Sequence, residues 1–496
     1  MKLKALLLLV PLMSAAAETS PPPNVIVILV DDQGYADAGC YGADPKHFTT
    51  PHMDQFAKEG LRFTDGHAAS SVCTPSRYSL LTGRYAFRNP LASGILPGDA
   101  PLSIKPGSFT LPALFKSKNY ATGFVGKWHL GLAAGGKSID WNGDIKPGPL
   151  EVGFDSCFFF PATPDRTPTV YIRDHRVVNL DPADPIEVSY KEPIGETCGK
   201  NPDLLTVLKP LPGHGHNQAV TSGIGRIGYM KGGHSARWVD EQMTDTFNSE
   251  AVKFLETNKD KPFFLYYATY GIHEGRVPAA RFRGKSGAGS YGDHLMELDD
   301  DLGRLMDALI RLKLDENTLI VYSSDNGGTD WMGYDYGDRQ SLNGHKVNGR
   351  LRGEKGTIYE GGTRVPFMVR WPGRIENPGS TSPALVSQTD LLASFAHLLG
   401  VPLPSDAAGD GVNVMNALLG KTQTGRKELV EHQWNLKCAL RQGPWKFING
   451  ELYDLENDLA EEHNLARKMP EKTKVMEERL GELNGNRSSD PVHSPK

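Results

Sequence analysis

Seven residues near the start of the chain, Asn24-Val-Ile-Val-Ile-Leu-Val30, form an almost unbroken β-branched run that stops at Asp31-Asp32-Gln33-Gly34. A segment apolar at every position cannot leave one face in water. It predicts a strand buried on both faces, the condition of a parallel sheet covered by helices. The same pattern, an apolar run followed by polar and Gly residues, returns at Pro262-Phe-Phe-Leu-Tyr-Tyr-Ala-Thr-Tyr270 and at Thr318-Leu-Ile-Val-Tyr-Ser-Ser-Asp325-Asn326-Gly327-Gly328, and Val365 to Trp371 reads as a further strand. In open α/β sheets ligands bind beyond the carboxyl ends of such strands, which places Asp31, Asp32, Asp325 and Asn326 at a crevice.

Helical patterns lie between the strands. Leu295, Leu298, Leu302, Leu305, Leu309 and Leu312 recur at steps of three and four and predict a helix. The acidic run Glu297 to Asp301 within it reads as a solvated face near the helix start. Asp390 to Gly400 reads as another helix, stopped by Gly400 and Pro402, and Pro402 to Gly411 as a linker. The expected architecture is α/β, a large mixed but mostly parallel sheet between helices, followed by a second, smaller domain. The boundaries fall at residues 18–404 for the first unit and 405–496 for the second.

Charge excludes one class of partner. With 54 Lys and Arg against 59 Asp and Glu, a formal charge of −5 and no long basic run, the chain lacks a nucleic-acid footprint. An anionic substrate must therefore be met by local cations. At the N-terminus, Lys2 and Lys4, the apolar stretch Ala5 to Met13 and Ser14-Ala15-Ala16-Ala17 read as a cleavable export signal over residues 1–17, giving a periplasmic or secreted protein. The apolar stretch is short for a membrane span. Five cysteines, Cys40, Cys73, Cys157, Cys198 and Cys438, are too few and odd in number for a disulfide scaffold.

The chemistry-bearing residues fall in short clusters. Cys73-Thr74-Pro75-Ser76-Arg77, followed by Leu81-Thr82-Gly83-Arg84, sets a thiol and a guanidinium four residues apart at a helix start, although a pattern fixing three positions is weak by itself. Asp31, Asp32, Asp325 and Asn326 make an all-oxygen set that suits Ca²⁺, or less well Mg²⁺, rather than zinc; singly, each could equally cap the helix that follows it. Lys127 and His129, in Gly126-Lys-Trp-His-Leu-Gly131, are two apart, so on extended backbone both would point the same way and suit a tetrahedral anion. His273 follows the Pro262 strand and Lys355 sits in Arg352-Gly-Glu-Lys-Gly356. Glu360-Gly-Gly-Thr-Arg364 supplies backbone freedom before the next strand.

Taken together and in this order, Asp31-Asp-Gln-Gly34, Cys73-Thr-Pro-Ser-Arg77 with Leu81-Thr-Gly-Arg84, Gly126-Lys-Trp-His-Leu-Gly131, Ser324-Asp-Asn-Gly-Gly328 and Tyr359-Glu-Gly-Gly-Thr-Arg364 resemble the motifs of the formylglycine-dependent type I sulfatases, of the alkaline phosphatase superfamily. The resemblance runs from about Asn24 to the C-terminus, where Gly443-Pro-Trp-Lys446 and Glu451-Leu-Tyr-Asp-Leu455 look like the family's small C-terminal antiparallel sheet.

The resemblance implies that a separate maturation enzyme oxidises Cys73 to formylglycine, which hydrates to a geminal diol. It implies Ca²⁺ held by Asp31, Asp32, Asp325, Asn326 and the modified Cys73, with Arg77 steadying the diol. One diol hydroxyl attacks sulfur and expels the alcohol, while Lys127, Lys355 and the metal offset charge on the sulfuryl oxygens. His273 with Lys355 is the implied general acid, and His129 takes the proton from the second hydroxyl as sulfate leaves. The neighbourhood Gly271-Ile-His-Glu-Gly-Arg-Val-Pro278 departs from the family by lacking the common proline before the histidine.

Family members of this kind commonly act on sulfated carbohydrates. The segments Thr163 to Gly233 and Asp330 to Arg350 read as insertions at the crevice mouth, with His214, His216, Asn343 and His345 as candidates for gripping sugar hydroxyls. Gly271 to Asp293 resembles the arylsulfatase A and galactosamine-6-sulfatase branch, which implies sulfated galactose or N-acetylgalactosamine. Two alternatives remain open: a phosphate or phosphonate ester hydrolase of the same superfamily, and a non-catalytic exported glycan-binding protein.

Overall fold

The structure is a computed structural model that describes residues 21–136, 138–205, 210–213, 215–330, 333–336 and 342–485. The segment read as an export signal and His214 lie outside these residues. Among the described residues no helix is long and apolar enough to cross a membrane.

Ten strands form the main sheet: β1 (Asn24–Val30), β2 (Leu61–Phe63), β3 (Ala121–Lys127), β4 (Ser156–Phe160), β5 (Ile172–Arg173), β6 (Arg176–Val177), β7 (Phe263–Ala268), β8 (Thr318–Ser324), β9 (Phe367–Arg370) and β10 (Thr381–Ser382). Their order is β10-β2-β9-β8-β1-β7-β3-β4-β5-β6. The central block β8-β1-β7-β3-β4 is parallel, and antiparallel pairings appear on both flanks, at β8-β9, β9-β2, β4-β5 and β5-β6. The expected mixed, mostly parallel sheet is present. Its parallel strands aim their C-terminal ends, with Asp31, Lys127 and Asp325, at one edge.

The continuous apolar run of β1 is explained by two cores. Val25, Val27 and Leu29 enter one apolar cluster, together with Leu80 and Leu81 of α2 (Cys73–Thr82), Leu111, Leu114 and Phe115 of α3 (Leu111–Lys116), and Phe395 of α6 (Leu391–Leu398). Ile26, Ile28 and Val30 enter the other, with Met53 and Phe56 of α1 (Pro51–Glu59), Phe247 and Leu255 of α4 (Met243–Asn258), and the leucines of α5 (Gly289–Arg311). Period-two alternation on a strand thus feeds both faces.

The acidic run on α5 corrects the sequence reading. Glu297, Asp299 and Asp301 are buried, and the run sits in mid-helix rather than near its start. The reason is that α5 lies between α1 and α4 and has polar groups to satisfy on both sides. Asp299 accepts the His52 and Met53 N–H groups in the first turn of α1 (3.1 and 2.8 Å), an N-cap supplied from another helix. Asp301 accepts from the Tyr267 hydroxyl (2.8 Å) and the Asn248 amide (2.8 Å). Glu297 accepts the Ala279 N–H (3.3 Å).

A four-stranded antiparallel sheet, β11 (Glu428–His432), β12 (Cys438–Gln442), β13 (Trp445–Ile448) and β14 (Glu451–Asp454), with α7 (Pro470–Asn484), makes the smaller C-terminal unit. Met415, Ala417 and Leu418 pack in the same apolar cluster as Val25, Val27 and Leu29. The Pro402 to Gly411 stretch is pinned: Asp410 accepts the Tyr85 N–H (2.8 Å) and pairs with Arg88 (2.7 Å). Among the described residues no two cysteines are joined in a disulfide.

The C-terminal sheet is sealed to the main one by buried charge. Lys446 Nζ lies 2.8 Å from Glu360, 3.1 Å from Glu431 and 3.4 Å from Glu461, and all four side chains are fully buried. Arg441 and Arg364 join Asp65 and Glu360 to the same group, and His67 bridges Asp65 and Glu431. The Glu360-Gly-Gly-Thr-Arg364 segment therefore does more than loosen the backbone: Glu360 and Thr363 bind the C-terminal unit, and Arg364 braces Glu360.

Candidate active site

Helix α2 begins at Cys73, and every residue in it is buried. Cys73 stands at the positive end of the helix dipole, and Arg77 lies one turn on, on the same face. The helix stops at Gly83, whose φ of +64° is one that other residues resist. Arg77 Nε and one terminal nitrogen bind Asp325 at 2.9 and 2.7 Å, and Arg77 also donates to the Lys127 carbonyl at 3.0 Å. That fork ties α2 to the ends of β8 and β3 at once.

Asp31 ends β1, and Lys127 at the end of β3 donates to both its oxygens, at 2.8 and 2.7 Å. Asp32 leaves the strand with φ +61°, which lets its carboxylate reach the same site despite the alternation of extended chain. Lys355 Nζ lies 2.6 Å from Asp32, and His273 Nε2 lies 3.8 Å from it. Burial alone would push the Asp32 carboxyl up, but Lys355 and His273 outweigh it and hold the group below the usual carboxylate range. Gly327 is required here, since a Cβ would fall 1.8 Å from the Gly361 carbonyl.

The donor set fits a hard cation. Ligand atoms of Asp31, Cys73 and Asp325 lie within 4.8 Å of one another, as do those of Asp31, Asp32 and His273. Asn326 donates its amide to Asp32 at 2.8 Å, and its Oδ1 is buried with no hydrogen-bond partner. An unpartnered buried oxygen beside three buried carboxylates is what an oxygen-ligated Ca²⁺ would satisfy.

Burial pushes the Cys73 thiol up against the opposing effect of Lys127 and Lys355, so the residue is not poised as a thiolate. His129 is also buried, and its Nε2 faces the Leu96 carbonyl at 2.9 Å. That contact fixes the proton on Nε2 and leaves Nδ1, which is buried and unpartnered, as an acceptor. Burial, then Lys127, holds the imidazole well below its ordinary range and therefore neutral.

All the residues expected at the site core are brought together: Asp31, Asp32, Cys73, Arg77, Lys127, His129, His273, Asp325, Asn326 and Lys355. The candidates for gripping sugar have other partners. His216 is buried between Asp165 (3.0 Å) and Glu274 (3.1 Å); burial works against its charge, yet those two hydrogen bonds hold it up to about 10. His345 is buried against Asp37 at 2.6 Å, behind Tyr291, whose hydroxyl binds the same carboxylate. Asn343 is exposed and donates to the Gly287 carbonyl. The two insertions do meet, through strand pairing of Tyr334 and Asp335 with Pro212 and Leu211.

Several residues at the site were not singled out in the sequence. Asp165 lies 3.8 Å from His273 Nδ1, and its signal was present, because it follows the apolar run of β4 as Asp31 follows β1. A cavity of about 290 Å³ opens over Asp32 and Lys355 and is lined also by Ile95, Glu274, Arg276, Tyr291, Glu354 and Trp434. Nothing local in the sequence marks Trp434.

Cations enclosing a carboxylate-lined oxygen site at the C-terminal edge of a parallel sheet have the chemistry of a hydrolase for esters of tetrahedral oxyanions. Comparison narrows the class. The Sulfatase family model matches residues 23–401, and that of the N-sulphoglucosamine sulphohydrolase C-terminal region matches residues 353–487. The chain belongs to the sulfatase family and is a sulfuric ester hydrolase.

Among its relatives, an N-acetylgalactosamine-6-O-sulfatase of Bacteroides thetaiotaomicron is 42% identical over 472 residues, 91% of each chain. Arylsulfatase A of Homo sapiens is 34% identical over 401 residues, 80% of this chain and 68% of that one. A solved Bacteroides thetaiotaomicron structure, described under the metabolism of multiple glycosaminoglycans, superposes with a TM-score of 0.90 at 42% identity, over 94% of this chain and 100% of that chain.

Proposed function

We propose that this sulfatase hydrolyses sulfate esters of carbohydrates, with 6-sulfated N-acetylgalactosamine or galactose as substrate, and releases inorganic sulfate. The 42% identity to an N-acetylgalactosamine-6-O-sulfatase across 91% of both chains supports the sugar. The observation that carries the chemistry is the convergence of Lys127, Lys355 and Arg77 on Cys73 and the unpartnered Asn326 Oδ1.

Asp31, Asp32, Asp325 and Asn326 would hold Ca²⁺, which supplies fixed positive charge for the sulfuryl oxygens, and Cys73 matured to formylglycine supplies a hydrated-aldehyde nucleophile. Everything else falls to side chains of the chain itself. Arg77, anchored on Asp325 and the Lys127 carbonyl, fixes the first turn of α2 and with it the position of residue 73. Lys127 and Lys355, set against Asp31 and Asp32, offset charge that builds on the transferring group.

Lys355 and His273 flank the side on which the alcohol leaves. Burial, then Lys355, pulls His273 down to about 4, and its Nδ1 faces the Glu274 carbonyl at 3.1 Å, so Nε2 is the atom available to the substrate. An anionic ester brings the negative charge that favours a proton on Nε2. On the opposite side His129 Nδ1 accepts the proton released as sulfate departs. Export, to periplasm or exterior, and maturation by a separate enzyme acting on Cys73 belong to the same proposal.

The deciding assay offers matured protein matched sulfate and phosphate esters of N-acetylgalactosamine at O6. Sulfate release in large preference to phosphate is expected. Preferential phosphate release would move the chain to the phosphate-ester reading, and release from neither would favour a glycan-binding role.

A further inference from the structure

Two large apolar side chains stand exposed at the mouth of the site cavity: Trp434, 49% exposed, and Ile95, 42% exposed. Apolar groups of that size are normally covered, and here both border a cavity whose floor is Asp32 and Lys355. The chain beside each is tied to α2 or to the segment that leads into it. The His432 carbonyl accepts from Ser70 Oγ (2.9 Å) and Ser71 N–H (3.1 Å), and His432 N–H donates to Ala69 (3.1 Å). Ser71 in turn accepts the Gly356 N–H at 2.7 Å. Trp434 follows two residues beyond that anchor, in a tight connection closed by Gln433 and Leu436 bonds. Ile95 precedes Leu96, which binds both Thr74 and His129.

We propose that Trp434, contributed by the C-terminal unit, stacks on the C–H face of the leaving sugar ring and selects the galacto over the gluco configuration. An axial O4 leaves the hydrogens of C3, C4 and C5 as one apolar patch on the opposite ring face, and an indole is the side chain best shaped to cover it. Beside Val72, Ile272 and Tyr291 the lining also offers polar groups able to meet sugar hydroxyls, Glu274, Thr329 and Glu354, with Thr329 donating to Glu354 at 2.7 Å. The cavity, about 290 Å³, is large enough for one sugar ring. This deepens the substrate reading above and rests on it.

The test uses full-length matured protein. Trp434→Ala should raise KM for 6-sulfated N-acetylgalactosamine about tenfold while kcat falls far less, and should narrow the preference over 6-sulfated N-acetylglucosamine. Trp434→Tyr should recover most of the lost affinity. An unchanged KM in Trp434→Ala, or equal losses of kcat in both variants, overturns the proposal. Titration of unsulfated N-acetylgalactosamine, followed by tryptophan fluorescence, decides separately from turnover. A change in the wild type that disappears in Trp434→Phe supports stacking, and the same change in both, or none in either, refutes it. Absence of sulfate release by the wild type would instead sink the substrate reading.

Discussion

Replacing Lys446 by methionine removes an ammonium shared by three buried carboxylates while keeping the volume of the stem. In the wild type four carboxylates, Asp65, Glu360, Glu431 and Glu461, face Arg364, Arg441, Lys446 and His67. Without Lys446 the acids outnumber the cations, and Glu461 loses a cationic partner 3.4 Å away. Breaking a fully buried pair from one side costs about 3–5 kcal/mol, because the remaining charge stays desolvated. Glu461 is already pushed up to about 7, chiefly by burial and against Lys446. Removing Lys446 pushes it higher, so a proton restores part of what the ammonium gave, and the deficit shrinks as pH falls. Urea unfolding at pH 7.5 and 5.5, followed by circular dichroism, reads both quantities. The double variant Lys446→Met/Glu461→Gln should recover part of the loss. A penalty under about 1 kcal/mol, or one that grows on acidification, refutes the account of this interface.

Four further outcomes follow from the geometry. Glu297 is pushed up to about 8 by burial, so its folded value exceeds its unfolded one; the stability it lends is complete below the unfolded value and lost as pH rises towards 8. Glu297→Gln should therefore be more stable than wild type at pH 9, by on the order of 3–5 kcal/mol, with the gap closing towards pH 5 in parallel urea titrations. Asp299→Ala strips the cap from α1 and should lower stability by at least the ~1 kcal/mol of an ordinary N-cap loss, measured by denaturation at neutral pH. Arg77→Lys keeps the charge but not the fork onto Asp325 and the Lys127 carbonyl, and should lower kcat about 10²-fold in matured protein. Asn326→Ala should abolish the rise in thermal midpoint that added Ca²⁺ gives the wild type, a readout independent of turnover.

What could be read from the chain alone was what periodicity and strand ends encode. The β1 run required a sheet covered on both faces, the apolar run that opens at Thr318 forms a strand ending at Ser324, and the polar groups that follow these strands converge at one edge. What could not be read depends on pairings between remote segments. The acids of α5 look solvated until α1 supplies two N–H groups and α4 an amide. Glu360 and Arg364 look like the ends of a flexible loop until Arg441 and Lys446 arrive from the C-terminal sheet. His216 and His345 look free until Asp165 and Asp37 arrive as their partners. Trp434 acquires significance only because His432 is stitched to the segment before Cys73.

The role given to Cys73 can be measured without inference. Mass spectrometry of the peptide containing residue 73, on preparations ranked by sulfate release from 6-sulfated N-acetylgalactosamine, should show formylglycine in proportion to activity. Cys73→Ala should release none. A fully active preparation carrying only the free thiol at residue 73 would contradict the account at its root.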